Sequence, residues 1–414
     1  MVIFLEERIQ FDGIKLRKIR EGKTEIFVPD PKEYVKDKAE YLPAALPVFY
    51  NPMMEINRDI TLLSIYAYLN TFAAYAENIY LEALAGTGIR GFRIVREIHN
   101  SDITVILNDI NPVATRLMQF NIERLSFPKN RVRIYNEDAN FLFLKLKKEK
   151  IRPNIIEIDP YGTPAPFLFN ALNLISGRED LLIITATDTA PLTGKYPYAA
   201  LRKYGVRSVK NPFSREIALR FLLYTIGREA AILSKRAIPL FGVFLHHFIK
   251  VILLVKRGKT EANKFWGSVG WVSFCPICHE FYMSRKIYNF PPTSCKFSTH
   301  GSTEILGPTW IGTIFNREFA EHMLTALNKI DINQKNARIL RKIIEWDAFN
   351  DDLLFYYDIE EIARRLKTSV PKIEDVISVL MKNGFRASRT HFNPKGIKTN
   401  AKIEKLVEAV RKFQ

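Results

Sequence analysis

One stretch of this 414-residue sequence, Asp159-Pro160-Tyr161-Gly162, joins an acidic side chain, a proline and an aromatic ring. The lone pair of an exocyclic amine is delocalised into its aromatic base, so the amine attacks poorly unless an acceptor binds its N–H. The Asp159 carboxylate is such an acceptor. The proline fixes the backbone so that its carbonyl can accept the second N–H, and Tyr161 offers a face for stacking the base. These residue types in this order suit chemistry at an amino group of a base.

A glycine-rich turn, Gly86-Thr87-Gly88-Ile89-Arg90-Gly91, lies upstream of this stretch and directly after an apolar run. Glycines at a strand-to-helix turn let a cofactor approach the backbone, and the N-terminus of the following helix attracts negative charge. Asp109 follows eighteen positions after the last glycine, where a carboxylate can bind a ribose diol. The turn and the carboxylate together predict an adenosine cofactor, and they fit NAD and S-adenosylmethionine (SAM) equally well.

The Asp159 stretch distinguishes the two cofactors. It resembles the Asp/Asn-Pro-Pro-aromatic motif of methyltransferases that modify exocyclic amino groups of bases, with Tyr161 in place of the second proline. A dehydrogenase needs no acceptor for an amine, so the combination favours SAM.

Three cysteines have the spacing of a zinc knuckle. Cys275 and Cys278 form a Cys-x2-Cys pair, and Cys295 follows after sixteen intervening residues. A serine stands where a fourth cysteine would fall, and His300 or His279 would complete a Cys3His set instead. We expect a structural zinc ion in the segment 275–300, held by the three cysteines and His300.

Five short apolar or β-branched runs must position the residues of the first half. These runs lie at 79–85, 103–108, 131–135, 154–159 and 181–186, and the stretches between them can hold helices. This alternation predicts βαβ units with a parallel sheet. The glycine turn, Asp109 and Asp159 then follow the first, second and fourth strands.

The second half shows a different pattern. The apolar run 237–255 is interrupted by a proline, two histidines and a lysine, so it predicts two buried strands and excludes a membrane span. Residues 359–366 and 371–382 carry apolar side chains at helical spacing, and 385–396 then supplies a basic strand and a turn. The C-terminal end is therefore predicted to be winged-helix-like.

The net charge of +17 is concentrated in two stretches. Residues 196–260 carry +11 and residues 381–414 carry +7, which leaves the remainder close to neutral. This distribution favours a nucleic-acid footprint over an evenly solvated surface. The N-terminus lacks the pattern of a signal peptide, and three cysteines argue against a disulfide framework. We expect a soluble, cytoplasmic protein with no membrane partner.

The motifs as a set resemble those of the tRNA (guanine-26, N2) dimethyltransferase family. The resemblance extends from about residue 21 to the C-terminus, with matches at 48–52, 57–59, 85–91, 108–110, 137–139, 159–162, 186–190, 389–392 and 396–399. It implies a Rossmann-like, SAM-dependent methyltransferase domain and a family-specific α+β C-terminal domain. It also implies that one or two methyl groups pass from SAM to the exocyclic N2 amine of guanine 26 in tRNA.

The resemblance further implies a set of site residues, in three groups: cofactor ligands, a catalytic acceptor, and two rings that clamp the extruded guanine. The cofactor ligands are Arg58 and Arg90 at the SAM carboxylate, Gly86 in the glycine turn, Asp109 at the ribose, and Asp138 and Ala139 at the adenine. The acceptor is Asp159, and the rings are Phe49 and Tyr161.

We expect two domains in a monomeric protein: an N-terminal methyltransferase domain over 1–195 and a C-terminal tRNA-binding domain over 196–414. Two alternatives stay open at this point. An amino-methyltransferase of DNA or another RNA is favoured by the winged-helix-like end, although Tyr161 and the family-wide matches argue against DNA. A non-catalytic nucleic-acid-binding relative is disfavoured by the intact Asp159 and Arg90.

Overall fold

A computed structural model describes residues 2–34, 43–72, 77–98, 103–287 and 303–413. The elements up to Ala186 are β1 (Ile3–Phe11), β2 (Ile14–Glu21), β3 (Thr24–Pro29), α1 (Pro31–Tyr34), α2 (Glu55–Thr71), β4 (Asn78–Glu82), α3 (Ile89–Glu97), β5 (Ile103–Asn108), α4 (Pro112–Arg124), β6 (Val132–Tyr135), α5 (Ala139–Lys148), β7 (Ile155–Ile158), α6 (Ala165–Leu174) and β8 (Arg178–Ala186).

The elements after Ala186 are α7 (Thr189–Leu192), α8 (Pro197–Tyr204), α9 (Ser214–Ile232), β9 (Lys235–Leu245), β10 (Phe248–Arg257), α10 (Lys259–Lys264), β11 (Val269–Phe274), β12 (Phe281–Ser284), β13 (Glu304–Trp310), α11 (Arg317–Ala326), α12 (Gln334–Trp346), β14 (Tyr357–Asp358), α13 (Ile359–Arg365), α14 (Ile373–Lys382), β15 (Ala387–Arg389), β16 (Gly396–Thr399) and α15 (Ile403–Arg411). Among all these described helices, none has the combination of length and apolar composition that crossing a bilayer requires.

The five strands predicted from apolar runs are β4 to β8, and they lie side by side in the order β6, β5, β4, β7, β8. The four pairings between them are parallel; in β4, for example, Tyr80 is opposite Val105 of β5 and Ile155 of β7. The first of these strands along the chain, β4, therefore lies in the middle. The chain continues from β4 to β5 and β6 on one side and then crosses to β7 and β8 on the other side, so the strand order reverses beside β4. Ligands of such sheets bind beyond the carboxyl ends of the strands at this reversal. The predicted Rossmann-like architecture is confirmed.

A three-stranded antiparallel sheet, β1-β2-β3, precedes this fold and was not predicted from the sequence. The side-chain amide of Asn121, in α4, makes two hydrogen bonds to the last strand of this sheet. Its Oδ1 accepts from the N–H of Phe27 at 2.8 Å, and its Nδ2 donates to the carbonyl of Phe27 at 3.0 Å. The sheet thereby packs on α4, and its second strand ends at the buried Glu21.

The chain divides into two compact units, which are not consecutive segments. Unit 1 comprises 1–160, 166–184 and 318–340, and unit 2 comprises 161–165, 185–317 and 341–414. The expected division into 1–195 and 196–414 differs from these units, because residues 318–340 belong to unit 1. Side-chain hydrogen bonds hold this segment in unit 1. Asn336 Nδ2 donates to Asp59 Oδ2 at 2.7 Å, and the Thr71 hydroxyl is 2.7 Å from His322 Nδ1.

Unit 2 contains the remaining predicted elements. The run 237–255 forms the antiparallel hairpin β9–β10, as expected. At the C-terminal end, β14 precedes helices α13 and α14, β15 and β16 follow them, and the three strands form the small sheet β14-β16-β15, so the winged-helix-like prediction is confirmed. Its core is formed by apolar side chains of α13, α14, α15 and the sheet, including Ile397, Val376 and Leu406.

Part of the positive charge of the second half lies inside unit 2. The side chains of Arg220 and Lys398 are fully buried. Lys398 Nζ lies 3.4 Å from Glu216 and 3.2 Å from Asp347, and Arg220 Nη2 lies 2.7 Å from Glu216. These cations neutralise buried carboxylates. Fewer cations are therefore available to a polyanion than the two basic stretches contain.

Candidate active site

The carboxyl ends of β4, β5 and β6 are tied together by Asn108. Its Nδ2 donates to the carbonyls of Ala83 and Glu137 at 2.9 and 3.0 Å, and its backbone carbonyl accepts from Ala85 at 2.8 Å. The three loops that carry the predicted cofactor residues are therefore fixed against one another.

Asp109 and the glycine turn meet directly. Asp109 Oδ2 accepts from the N–H of Gly86 at 2.7 Å, and Oδ1 accepts from Asn111 at 2.9 Å. Gly86 has φ +55°, and a Cβ placed there would lie 2.9 Å from the carbonyl oxygen of Phe49, so only glycine fits without a shift. The structure thus brings Phe49, Gly86 and Asp109 together, and 39% of the Phe49 surface stays exposed.

Asp138 and Ala139 begin helix α5. Asp138 is its N-cap, with Oδ1 accepting from the N–H of Phe141 at 3.1 Å, and Ala139 is buried. Two apolar side chains beside the predicted residues, Ile110 and Phe141, are 65% and 55% exposed. Exposed apolar surface next to a ribose acceptor suits the faces of an adenine. Neither residue was predicted from the sequence to contact a ligand, although Ile110 directly follows Asp109.

Arg90 lies at the centre of a cluster of carboxylates. Its Nη1 is 2.9 Å from Glu82 and 3.1 Å from Glu157, and its Nη2 forms an ion pair with Asp159. The side chains of Arg90, Glu82 and Glu157 are at most 5% exposed, whereas Asp159 retains 13%. The only carboxylate of this set with appreciable access to solvent is therefore the predicted catalytic acceptor.

Burial and mutual repulsion control the charges in this cluster. Burial raises the pKa of Glu82 to about 8, although Arg90 opposes the shift, and the charges of Glu157 and Asp159 add to it. The pKa of Arg90 is raised well above its ordinary value because the attraction of Glu157, Asp159 and Glu82 outweighs its burial. One arginine faces three carboxylates, so a proton on Glu82 at neutral pH brings the cluster closer to neutrality.

Replacing Glu82 with glutamine should change how stability depends on pH. A folded-state pKa of about 8 lies above the ordinary 4.5, so between these values the folded protein binds a proton that the unfolded chain has lost. The stabilisation from this proton is complete below pH 4.5 and is lost as the pH rises through about 8. Denaturant unfolding from pH 5 to 9 should give a flatter profile for Glu82→Gln than for wild type. The exposed-site control Glu123→Gln should reproduce the wild-type slope, and identical slopes for all three proteins would contradict the assignment.

Arg58 is held by Glu21, which no motif identified. Arg58 Nε donates to Glu21 Oε2 at 2.8 Å, and the Tyr50 hydroxyl donates to Glu21 Oε1 at 2.8 Å. Burial alone would raise the pKa of Glu21, but the charge and hydrogen bond of Arg58 bring it below its ordinary value. Arg58 therefore anchors β2 to α2, and its contact with the SAM carboxylate stays a prediction.

The loop that carries Tyr161 is fixed within unit 2. Thr187 Oγ1 accepts from the N–H of Gly162 at 2.7 Å, and the N–H of Thr187 donates to the carbonyl of Gly162 at 2.9 Å. Asp188, the next residue, accepts from Lys203 and from the hydroxyl of Tyr204. The sequence resemblance included the segment 186–190 but implied no role for it. These contacts show that the segment positions the loop that carries Tyr161. Tyr161 itself is 75% exposed.

The cysteine pair forms a tight turn after β11. Cys275 and Cys278 are buried, and the N–H of Cys278 donates to Cys275 Sγ at 3.5 Å. His279 Nε2 lies 2.5 Å from Arg365 Nη2, and burial lowers the pKa of His279 to about 4, with Arg365 adding to the effect. Cys295 and His300 lie outside the described residues. Within the described ranges, no group of three His, Cys, Asp or Glu side chains is arranged to hold a metal ion.

Comparisons with known proteins identify the family of this chain. The family model for N2,N2-dimethylguanosine tRNA methyltransferase matches residues 22–411. The chain is 34% identical to the tRNA (guanine(26)-N(2))-dimethyltransferase of Saccharolobus solfataricus, over 97% of this chain and 100% of that protein. It is 35% identical to the protein of the same name from Methanocaldococcus jannaschii, over 95% of this chain and 98% of that protein.

A solved structure extends the agreement to the fold. Trm1 from Pyrococcus horikoshii, in complex with S-adenosyl-L-methionine, matches with a TM-score of 0.79 and 30% identity, over 95% of this chain and 99% of that chain. The likeness covers both the parallel sheet and the C-terminal elements. The chain therefore belongs to the N2,N2-dimethylguanosine tRNA methyltransferase family.

Proposed function

We propose that this protein transfers methyl groups from SAM to the exocyclic N2 amine of guanine 26 in tRNA and dimethylates it, with Asp159 as the catalytic acceptor. The observation that carries the assignment is the position of Asp159. It lies at the carboxyl end of β7 beside the reversal of the sheet, and it is the accessible carboxylate of an otherwise buried cluster.

The cofactor site fits SAM by the chemistry of its residues. Asp109 offers a carboxylate to a ribose diol, and the glycine turn leaves no room for a side chain at Gly86. Ile110 and Phe141 offer apolar surface to the adenine, beside Asp138 and Ala139. When bound, SAM supplies a methyl group activated by its sulfonium. We assign Arg58 and Arg90 to the side of the site that receives the SAM carboxylate.

The chain's own residues prepare the amine. The Asp159 carboxylate accepts one N–H of guanine N2 and the Pro160 carbonyl accepts the other, which localises the nitrogen lone pair toward the methyl group. As the new N–C bond forms and the S–C bond breaks, the nitrogen becomes acidic and its proton leaves to Asp159 or water. Arg90 forms an ion pair with Asp159 and so fixes the orientation of its carboxylate.

Two exposed rings support recognition of an extruded base. Phe49 and Tyr161 are 39% and 75% exposed, so a base can reach both rings. We propose that they stack on the two faces of guanine 26. The exposed cations of the stretches 196–260 and 381–414 then hold the phosphates of the tRNA.

The function is tested with two tRNA transcripts that differ only at position 26. With labelled SAM, the G26 transcript should accept label and the A26 transcript should not. Label on both transcripts equally, or on double-stranded DNA instead, would contradict the assignment. Because tRNA modification takes place where tRNA is made and used, we also propose a cytoplasmic location. We propose that the enzyme acts as a monomer, a state that light scattering of the purified protein tests.

Asp109→Ala should weaken SAM binding by about 1–3 kcal/mol, because a charged acceptor to the ribose is lost. Calorimetric titration with SAM measures the change. Glu123→Ala on the exposed face of α4 is the matched control and should leave the affinity at the wild-type value. An Asp109→Ala protein that is folded and binds SAM like wild type would show that the ribose partner lies elsewhere.

We also propose a structural zinc ion with Cys275, Cys278, Cys295 and His300 as ligands. The tight Cys275–Cys278 turn is the observation that supports it, since the hydrogen bond from N–H to Sγ is compatible with both thiolates facing one ion. Arg365 lies against Nε2 of His279, which favours His300 as the fourth ligand. A closed set of four ligands gives the ion a stabilising role and leaves the chemistry to Asp159.

Elemental analysis of protein produced with zinc should give about one ion per chain. Cys295→Ser and His300→Ala should each lower this value, whereas His279→Ala should retain it. Wild-type protein that is fully active and free of zinc would refute the site. Retention of zinc by His300→Ala together with its loss in His279→Ala would reassign the fourth ligand.

A further inference from the structure

Unit 2 contains a pocket whose lining includes none of the residues proposed for the catalytic site. Its volume is about 540 Å³, within the range of small-molecule sites. Its walls come from the loop before α9, the cysteine turn, the start of α13 and the turn 392–394. Every lining residue belongs to unit 2, so the pocket is a feature of this unit alone.

Two cations on the pocket wall have no carboxylate partner among the described residues. Lys210 and Arg215 are both exposed. The Arg215 guanidinium donates to the carbonyl of Phe392 at 3.1 Å and lies 5.6 Å from the centre of the Phe244 ring, and both contacts leave its charge uncompensated. An anionic group entering the pocket would find two positive charges ready to bind it.

The two acidic side chains of the pocket are already engaged. Asp358 Oδ1 caps α13 by accepting from Glu360 and Glu361 at 3.0 and 3.3 Å, and its Oδ2 accepts from Asn393 at 2.8 Å. The Glu361 carboxylate accepts from two arginines of the same helix. Glu361 is therefore neutralised by its arginines, whereas the donors to Asp358 are uncharged, so the wall presents the two positive charges of Lys210 and Arg215 against one negative charge.

Asn211 contributes a buried acceptor with a fixed orientation. Its Nδ2 donates to the carbonyl of Val209 at 2.8 Å, a contact that only the amide nitrogen can make. The opposite atom, Oδ1, is buried and has no hydrogen-bond partner within the described part of the chain. A buried unsatisfied acceptor is costly, so a donor on a ligand would bind there favourably.

Three aromatic residues also line the pocket. The rings of Tyr356 and Phe392 are parallel within 7°, with centroids 6.3 Å apart, and Phe274 lies in the same wall. These residues are at most 2% exposed, so they shape the wall and do not offer a stacking surface. A ligand that suits the polar groups of the wall combines an anionic group with a hydrogen-bond donor. A nucleotide has both, because its phosphate is negative and its base carries N–H groups.

We propose that this pocket binds a single nucleotide of the tRNA, other than guanine 26, that is extruded from the RNA. Its phosphate lies between Lys210 and Arg215, and an N–H of its base donates to Asn211 Oδ1. The proposal rests on the proposed function, since it takes tRNA as the substrate. An RNA nucleotide fits better than a free one, because both cations belong to the basic stretch 196–260, which can continue along an RNA backbone.

The test measures the affinity of the full-length protein for a labelled tRNA transcript by fluorescence anisotropy. Lys210→Ala and Asn211→Ala together should lower the affinity about tenfold or more, which corresponds to the loss of a charge-assisted and a neutral hydrogen bond. Lys372→Ala, an exposed lysine of unit 2 outside both basic stretches, is the control and should change the affinity by less than about threefold. Lys210→Ala alone removes only an exposed side chain, so it reports on binding even if the Asn211 variant unfolds.

A crosslinking experiment identifies what occupies the pocket. Benzoylphenylalanine in place of the exposed Pro394, which lines the pocket, should crosslink to one nucleotide of the transcript, as mapped by primer extension. The same probe in place of Lys372 should give no such crosslink.

Tight binding of free nucleoside monophosphates or inorganic phosphate, combined with unchanged tRNA affinity in the pocket variants, would overturn the RNA assignment. Equal losses in Lys210→Ala and Lys372→Ala would also overturn it. These binding readouts are independent of methyl transfer, so failure of the wild type to methylate guanine 26 would contradict the proposed function separately.

Discussion

Replacing Asp159 with alanine should abolish methyl transfer while the affinity for SAM stays within several-fold of wild type. The carboxylate acts on the amine of the guanine, and without it the lone pair stays delocalised in the base. The loss of a positioned acceptor that acts in the transition state should lower kcat by at least about 1,000-fold. Single-turnover methylation of a tRNA transcript and calorimetry with SAM measure the two quantities.

Asp159→Asn provides the matched control for this prediction. The amide keeps a hydrogen-bond acceptor of the same shape but loses the negative charge, so it should retain more activity than alanine and less than wild type. It should also weaken the ion pair with Arg90. Undiminished turnover in Asp159→Ala would remove this residue from the catalytic role.

Arg90→Ala should both destabilise the protein and inactivate it. The substitution leaves the buried Glu157 carboxylate without its counter-charge, removes the ionic partner of Glu82 and releases Asp159. Removing one partner of a buried ionic cluster costs about 3–5 kcal/mol of unfolding free energy. Denaturant unfolding measures the stability, and methyl transfer at a temperature at which the variant is folded measures the catalytic effect.

Arg90→Lys separates the effect of charge from that of geometry at this position, and Arg96→Ala serves as the control. Arg90→Lys keeps the charge but lacks the planar fork that contacts several carboxylates at once, so it should recover part of the stability and little of the turnover. Arg96→Ala changes an exposed arginine on the same helix and should cost less than about 1 kcal/mol. If Arg90→Ala were as stable as Arg96→Ala, the ionic cluster would not have the structural role assigned to it.

The parallel sheet and its loops could be predicted from the sequence because they depend on local patterns. The apolar runs are short and bounded, and the positions after them carry residues with distinct chemistry, such as Gly86, Asp109 and Asp159. Parallel strands place their carboxyl ends at one edge, so residues that follow the strands are expected to converge. The contact between Asp109 and Gly86 is a result of this convergence.

The partners of the charged residues could not be predicted, because they depend on contacts between distant parts of the chain. Nothing local indicates that Glu21 binds Arg58, or that Glu82 and Glu157 share Arg90. For the same reason the return of residues 318–340 to unit 1 has no sequence pattern, since a few side-chain hydrogen bonds anchor it.

The exposure of charged side chains could not be predicted from the sequence either. A lysine such as Lys398 counts toward a surface footprint in the sequence, yet it lies buried between two carboxylates. Burial of a charge requires a partner, and the partner here comes from another element. The exposed cations Lys210 and Arg215 could be distinguished from it only in the folded chain.

Methylation of guanine 26 is tested most directly by nucleoside mass spectrometry of a G26 tRNA transcript after incubation with the purified protein and SAM carrying a deuterated methyl group. We expect N2,N2-dimethylguanosine with two labelled methyl groups at position 26, none in the A26 transcript, and none with Asp159→Ala. Labelled methyl groups on another atom or another nucleotide, or an unmodified transcript with SAM-binding protein, would contradict this expectation.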